Sequence, residues 1–358
     1  MKSGVFIFLI ILTLPIEASS QNCAINSVKG TAYLKRGGAE QLISGNISLQ
    51  SGDELKTVQG ELVAACGDKS IVMLKENTSV IMRENTSTSE SAFSFLSSNY
   101  PITVWEIKAG NVLARIYPPQ EVKSNSLFTT NDTVVTAKGT EFSIKVNNGT
   151  HVSSIKGTVA GANIERTITY ILPQKTAGLF KVSSDNFLFA KSISGEFNLI
   201  TRESISSIET GESAYIRTEK DTGRTTLRVP KDSPGGTVIS SGDTKIIVNP
   251  GQELSLDITE KNTIEVSAGE ENKNPVPGKI VGCGTRVHIN PSAKAMVVAN
   301  PAIRAVRIVS HTGTVKVEGS DGRIVYLEGN QSFLDQCGLP VAEAVPPVEQ
   351  PASPISPE

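Results

Sequence analysis

Aromatic residues are scarce in this 358-residue chain, with 11 Phe, 6 Tyr and the single Trp105. Histidine is scarcer: His151, His288 and His311 lie far apart, and no two cysteines have CxxC spacing. Zinc sites draw their Cys and His ligands from such clusters, so neither a metal nor another cofactor is expected. No GxSxG elbow occurs and none of the three histidines has a triad context, so the marks of nucleophilic catalysis are missing. No glycine-rich loop ends in GK[ST], which removes the usual phosphate cradle. Charge of either sign is not in excess: Lys plus Arg is 34, Asp plus Glu is 36, and the net is −2. Basic residues are dispersed along the chain without interleaved aromatics, so nucleic acid is not an expected partner. Long apolar runs are absent except for Val5 to Ile16, whose twelve residues fall short of the about 20 that span a bilayer.

That one run predicts export. Lys2 gives a positive start, and Ala18-Ser19-Ser20 supplies small residues for a signal peptidase, so a signal peptide over 1–20 with cleavage after Ser20 is expected. The mature protein is then periplasmic or extracellular, with no transmembrane segment after cleavage. Lipidation of Cys23 is the weaker reading, because Ser20-Gln21-Asn22 is a poor lipobox. Cys23, Cys66, Cys283 and Cys337 allow three disulfide connectivities in an oxidising compartment. Their positions, two near each end, favour Cys23 with Cys66 and Cys283 with Cys337. Loops of this length stabilise by about 4 kcal/mol each in the chain-entropy account.

What is abundant is Ser, Thr, Asn, Val, Ile and Gly, a mixture suited to short strands and turns. Phe142, Ile144 and Val146 alternate with Ser143 and Lys145, and Val315 and Val317 with Lys316 and Glu318, as in half-buried strands. Ile71 to Leu74 and Ile246 to Val248 are continuously apolar, as strands covered on both faces are. Gly-rich turns every eight to twelve residues predict an all-β chain, either solenoid-like or sandwich-like.

A unit also recurs. Gly30-Thr31 to Gly45-Asn46, Gly195-Glu196 to Gly211-Glu212, Gly236-Thr237 to Gly251-Gln252 and Gly313-Thr314 to Gly329-Asn330 each span 15 or 16 residues. Each reads as one hairpin used repeatedly, and a lone hairpin cannot bury its apolar face. The expected organisation is a β domain over 23–165, a second β region over 166–268, and a linker over 269–278. A small C-terminal β unit over 279–338 and a Pro-rich, acidic, disordered tail over 339–358 complete it.

Four stretches in the N-terminal part resemble the FecR family, covering about residues 27–165. They are Gly30 to Thr57, with the Gly52-Asp53-x-x-x-Thr57 turn; Asp68-Lys69-Ser70 leading to Asn77-Thr78; Val104 to Ile116, with Gly110; and Gly139-Thr140-Glu141-Phe142 followed by Ser154 to Val159, with Gly157. Their order carries the resemblance more than any single motif. Lys69 stands where the family usually has Gly, so that turn is expected to differ in type. The best-known FecR-like proteins resemble iron-uptake regulators, with a cytoplasmic anti-sigma segment, a membrane helix and a periplasmic β module. Here an apolar run begins at Val5, so only the periplasmic module is expected to carry over.

Tempting single residues have plainer readings. Asp53 and Asp68 each follow a Gly in a turn, where Asp usually bonds its own backbone. Trp105 is expected in the core rather than stacked on a sugar. The sequons at Asn46, Asn77, Asn85, Asn131, Asn148 and Asn330 read as by-products of Asn- and Thr-rich turns. The expected function is a non-enzymatic binding or scaffold module of the bacterial envelope, with a protein or glycan partner; the alternative is a sensory adaptor relaying an envelope signal to a separate membrane regulator. If both disulfides form, thiol labelling of the purified native protein detects no reactive cysteine; four labelled cysteines would refute the pairing and the export that it presupposes.

Overall fold

The architecture is that of a computed structural model describing residues 23–337, apart from 68, 86–101, 118–124, 138, 203, 242–243, 261–262, 281–282 and 301–303. The residues expected to form a signal peptide and its cleavage site, Asp68 and the Pro-rich tail lie outside the described residues. Among those described, every regular element is a β-strand, so the chain is all-β as its periodicity predicts. No helix is long and apolar enough to cross a membrane. The chain forms two compact units, one ending at Thr129 and including Ala137–Gly139, the other made of Thr130–Thr136 and the residues from Thr140 onward.

The first unit comprises β1 (Ala24–Arg36), β2 (Ala39–Leu42), β3 (Ile47–Ser48), β4 (Glu54–Ala65), β5 (Ile71–Leu74), β6 (Thr78–Asn85), β7 (Ile102–Ile116) and β8 (Asn125–Thr129). β1 pairs antiparallel with β2, β3 and β4; β4 pairs with β5 and β6; β7 pairs with β5 and β6 and runs parallel to β8. Where the long strands β1 and β4 meet, Gly30 faces Gly60, and a Cβ on Gly30 would lie 2.2 Å from the Gln59 carbonyl oxygen. Only glycine allows that approach. Leu34, Leu55, Leu62, Leu74, Met82 and Trp105 fill the core, and Cys23 is bonded to Cys66 beside it.

The second unit continues with β9 (Thr133–Ala137), β10 (Thr140–Asn147), β11 (Gly149–Lys156), β12 (Val159–Asn163), β13 (Thr169–Leu172), β14 (Ala177–Val182), β15 (Leu188–Ser194), β16 (Phe197–Ile200), β17 (Ile205–Ile208), β18 (Ser213–Thr218) and β19 (Thr225–Arg228). There follow β20 (Thr237–Ser241), β21 (Thr244–Val248), β22 (Glu253–Glu260), β23 (Thr263–Ala268), β24 (Val276–Ile280), β25 (Arg286–Ile289), β26 (Lys294–Asn300), β27 (Ala305–Thr312), β28 (Thr314–Glu318), β29 (Ile324–Glu328) and β30 (Ser332–Gln336). Pairing sorts them into two layers. The first runs β10-β11-β14-β15-β18-β19-β22-β23-β26-β27-β30; the second runs β9-β12-β13-β16-β17-β20-β21-β24-β25-β28-β29. The chain therefore lays a hairpin in one layer, crosses, lays a hairpin in the other, and returns.

Each return is the same four-residue turn. The N–H of Thr176, Glu212, Gln252, Ala293 and Gln331 donates to the carbonyl of Pro173, Glu209, Asn249, Asn290 and Glu328 respectively. The third residue of each, Lys175, Gly211, Gly251, Ser292 and Asn330, has φ between 61° and 86°. That is a type II turn, which calls for a positive φ at this position. Successive corners are 36, 40, 41 and 38 residues apart, so the true repeat is two hairpins long. Three of the glycine-bounded units found in the sequence, beginning at Gly195, Gly236 and Gly313, are the second-layer hairpins β16-β17, β20-β21 and β28-β29. The unit beginning at Gly30 is different, because Gly30 lies inside β1.

The layers are joined by apolar side chains pointing inward from alternate positions. Tyr170 of β13 stacks on Phe180 of β14 at 3.9 Å between ring centroids, and Phe180 meets Phe197 of β16 at 5.5 Å, so one aromatic column links both layers. All three rings are buried. The Tyr170 hydroxyl is within 2.8 Å of the Thr133 hydroxyl, which keeps its polar end satisfied, and burial pushes its pKa well above the usual tyrosine value.

Three expectations need correction. The supposed linker over 269–278 is a crossing between layers: Asn272 accepts from the Glu253 N–H at 2.8 Å and donates to its carbonyl at 2.9 Å, and Val276–Ile280 is strand β24. A side-chain amide pairs there as a strand would, so polar and Pro-rich composition does not mean detachment. Residues 279–338 likewise form no separate unit; β25 to β30 extend the same layers, with Cys283 bonded to Cys337. Also, Ile247 is 43% exposed, so β21 is covered on one face only despite its continuous apolar sequence.

Removing the central ring of the column by Phe180→Ala is expected to cost about 3–5 kcal/mol in denaturant unfolding. Gly251→Val, which places a β-branched residue at a positive φ, is expected to destabilise by about 1–2 kcal/mol, whereas an unchanged midpoint would argue against the corner geometry.

Candidate functional site

The residues singled out by sequence are structural. Asp53 is 1% exposed and accepts two hydrogen bonds from Arg36, at 2.8 and 2.7 Å, and one from the Gln50 N–H at 2.8 Å. Its carboxylate is thus fully engaged within its turn, with Gly52 at φ 94° beside it, and the same hydrogen bond and charge hold the Arg36 pKa above its ordinary value. Thr57 is buried and donates to the Lys75 carbonyl; its oxygen also receives the Thr78 N–H at 3.2 Å. Ser70 is buried with its hydroxyl 3.3 Å from that of Ser126. Lys69, in the glycine position of the motif, has φ 62°, the left-handed conformation that glycine favours. Gly110, Gly139 and Gly157 have φ of 96°, 66° and 82°. Thr140 and Phe142 are buried, as is Trp105 at 0% exposure, which places Trp105 in the core. Asp68 is not among the described residues.

Periodicity directs other residues outward. In β15, Leu188, Ala190 and Ser192 face the core, so Phe189 and Lys191 face out; in β18, Ala214 and Ile216 face in, so Tyr215 and Arg217 face out. Register aligns these positions across the first layer. Lys181 lies opposite Phe189, Phe189 opposite Tyr215, Tyr215 opposite Arg228, and Arg228 opposite Glu253. With strands about 4.8 Å apart, this row of five side chains spans about 19 Å. The Phe189 and Tyr215 rings are 5.0 Å apart and tilted by 49°.

A second cluster adjoins the row. Phe187 precedes β15 and is 4% exposed because two guanidiniums cover it, Arg217 at 4.7 Å and Arg228 at 5.1 Å from its centroid. Arg228 also pairs with Glu253 at 2.7 Å. Arg217 has no such partner among the described residues, and its Nε is buried without an acceptor. Asp185 lies near enough for both guanidiniums to hold its carboxyl below the usual range, after the larger effects of the Ser183 hydroxyl and its own backbone N–H. Where the row meets the crossings, Arg228, Pro230, Lys231, Gly251, Glu253 and Glu270 help line a depression of about 550 Å³.

The outward side of the second layer also gathers charges that are dispersed in the sequence. Lys245 lies opposite Lys279, Lys279 opposite Arg286, and Arg286 opposite Glu318. Glu318 neutralises part of this row through Lys316 at 2.7 Å and Arg286 at 3.5 Å. Among the described residues no group of three or more His, Cys, Asp or Glu is placed to hold a metal.

No family model and no curated protein matches this chain. Among solved structures, matches include two crystal structures of a candidate anti-sigma factor from Parabacteroides distasonis ATCC 8503, 13% and 12% identical. Each has a TM-score of 0.21 and covers 49% of this chain and 59% of that one. The chain thus spans less than two thirds of that protein, and likeness at this level carries no argument about fold or function.

The histidines set a pH dependence. Burial lowers the His288 pKa, with Lys316 and Arg286 acting in the same direction and Glu318 opposing; burial and then Lys145 lower that of His151. A depressed histidine pKa means that the unfolded chain takes up protons first, so this contribution is present above about pH 6.5 and is lost as pH falls through the lower folded values. Denaturant midpoints should therefore drop between about pH 7 and pH 5, and the paired substitution His151→Gln, His288→Gln should flatten that drop; an equal slope in the variant would rule the histidines out as its source.

Proposed function

We propose that this is an exported, non-enzymatic, FecR-type module of the bacterial envelope that binds a partner on the outward face of its first layer. The observation that carries this reading is the row Lys181–Phe189–Tyr215–Arg228, where aromatic and cationic groups stand outward on rigid strands. Tyr and Arg are enriched at the hot spots of binding interfaces, which supports a binding role for this row with its half-buried rings. A repeat architecture supports it, because stacked hairpins offer one extended face instead of a closed pocket.

Two disulfides support a place outside the reducing cytoplasm, in agreement with the export expected from the N-terminal run. The FecR reading rests on the four ordered motifs, whose residues hold buried turns and strand crossings rather than a reactive centre. What the FecR resemblance adds to this reading is a β module that docks on a partner.

Co-sedimentation of the oxidised protein with isolated bacterial envelopes tests the proposal. Saturable binding is expected, with a loss of at least about tenfold in affinity for Phe189→Ala combined with Tyr215→Ala, since each aromatic anchor contributes on the order of 1–2 kcal/mol. Absence of saturable binding, or binding untouched by the double substitution, would overturn it.

A further inference from the structure

Deepening the binding reading just given, and resting on it, we propose that the first-layer face built on Phe187, Phe189, Tyr215, Arg217 and Arg228 binds an acidic polysaccharide. In this arrangement sugar rings stack on Phe189 and Tyr215, and their carboxylates are held by Arg217 and Arg228.

Three features point to that ligand chemistry. First, the aromatic pair is flanked in register by Lys181 on one side and Arg228 on the other, so a linear chain laid along the row meets cation, ring, ring and cation in succession. A polymer of charged sugars presents the complementary order, because each unit carries both an apolar ring face and an anionic group. Second, Arg217 and Arg228 converge on the one Phe187 ring, although like charges so placed repel. Glu253 answers Arg228 alone. Arg217 forms no ion pair at contact distance among the described residues, although Asp185 lies near enough to feel both guanidiniums. A guanidinium that covers a ring still offers its planar fork of donors to a carboxylate. Third, the surroundings are polar: Lys191, Ser213, Thr226 and Ser255 share the face. A standard protein interface buries about 800 Å² on each side around a more apolar centre. Here the rings form a narrow row with Ile193 as an exposed apolar neighbour and charged or hydroxyl groups around it, which suits a polysaccharide chain better.

The other outward row, Lys245–Lys279–Arg286, has cations but no stacked rings, which makes it an internal control.

Titration of the full oxidised protein with alginate, neutral dextran and polyphosphate separates the contributions. Alginate should bind saturably, dextran at least tenfold more weakly because it lacks the charge, and polyphosphate at least tenfold more weakly because it lacks the rings. Phe189→Ala and Tyr215→Ala should each weaken alginate binding by tenfold or more. Arg217→Gln should weaken it at least fivefold and reduce its salt dependence. Lys245→Ala should leave it unchanged, and near-ultraviolet circular dichroism should show every variant folded. Absent alginate binding, equal binding of dextran or polyphosphate, or indifference to the ring substitutions would overturn the proposal. Envelope binding that still needs Phe189 and Tyr215 but disappears after protease treatment of the envelopes would assign the face to a protein partner instead, leaving the binding reading intact and this inference refuted.

Discussion

The second unit depends on one backbone constraint, a residue held at positive φ wherever the chain returns from the second layer to the first. Lys175, Gly211, Gly251, Ser292 and Asn330 all meet it. Only at such a residue does a type II turn close in four residues, and that short closure places the next strand beside the hairpin laid one repeat earlier. The bonds that follow confirm the fit: Gly211 donates to Ser192, Gly251 to Val229 and Asn330 to Ser310, each across to the preceding hairpin. A looser connection would leave the strand order of both layers unspecified. That two of these positions are glycine and three are not shows that the geometry is imposed by the stack, which outweighs the cost of about 1–2 kcal/mol for a side chain there.

Crossings in the other direction are less uniform, and their variety explains why residues 269–278 show no strand-like pattern in the sequence. Ser154, Ser192 and Ser310 each donate to the carbonyl of a glycine three residues on, at 2.7, 2.5 and 2.9 Å, so a Ser-x-x-Gly segment closes three of these crossings. After β23 the same task falls to Asn272 and Gln252, whose amides bond backbone groups of Glu253, Asn274 and Pro275. No hydrophobic pattern announces such side-chain pairing, so the stretch resembled a linker.

A similar limit hid the candidate binding face. Phe187-Leu188-Phe189-Ala190 is a continuous apolar run, as is Ala214-Tyr215-Ile216, and such runs are ambiguous between strands covered on both faces and strands with exposed rings. Arg217 and Arg228 are 11 residues apart in sequence, stand diagonally across the β18-β19 hairpin, and both reach the ring of Phe187. Rigid support comes from beneath, where Tyr170, Phe180 and Phe197 lock the layers together, and Gly161 leaves the space that the Tyr170 ring occupies. The face stands on that column, so binding and stability share a foundation while using opposite sides of the strands.

By itself the sequence determined the strand class and the structural use of Asp53 and Trp105, and among three possible connectivities it favoured the pairing of Cys23 with Cys66 and Cys283 with Cys337 that the structure shows. These follow from local spacing: alternation gives strands, nearness in the chain favours short disulfide loops, and a carboxylate after glycine in a turn finds its own backbone. Tertiary structure alone decided that the repeat is two hairpins long, that 269–278 belongs to the stack, and that Phe189, Tyr215, Arg217 and Arg228 share one face. The reason is register, since which residues become neighbours across a sheet depends on how strands distant in sequence align, and no local pattern carries that information.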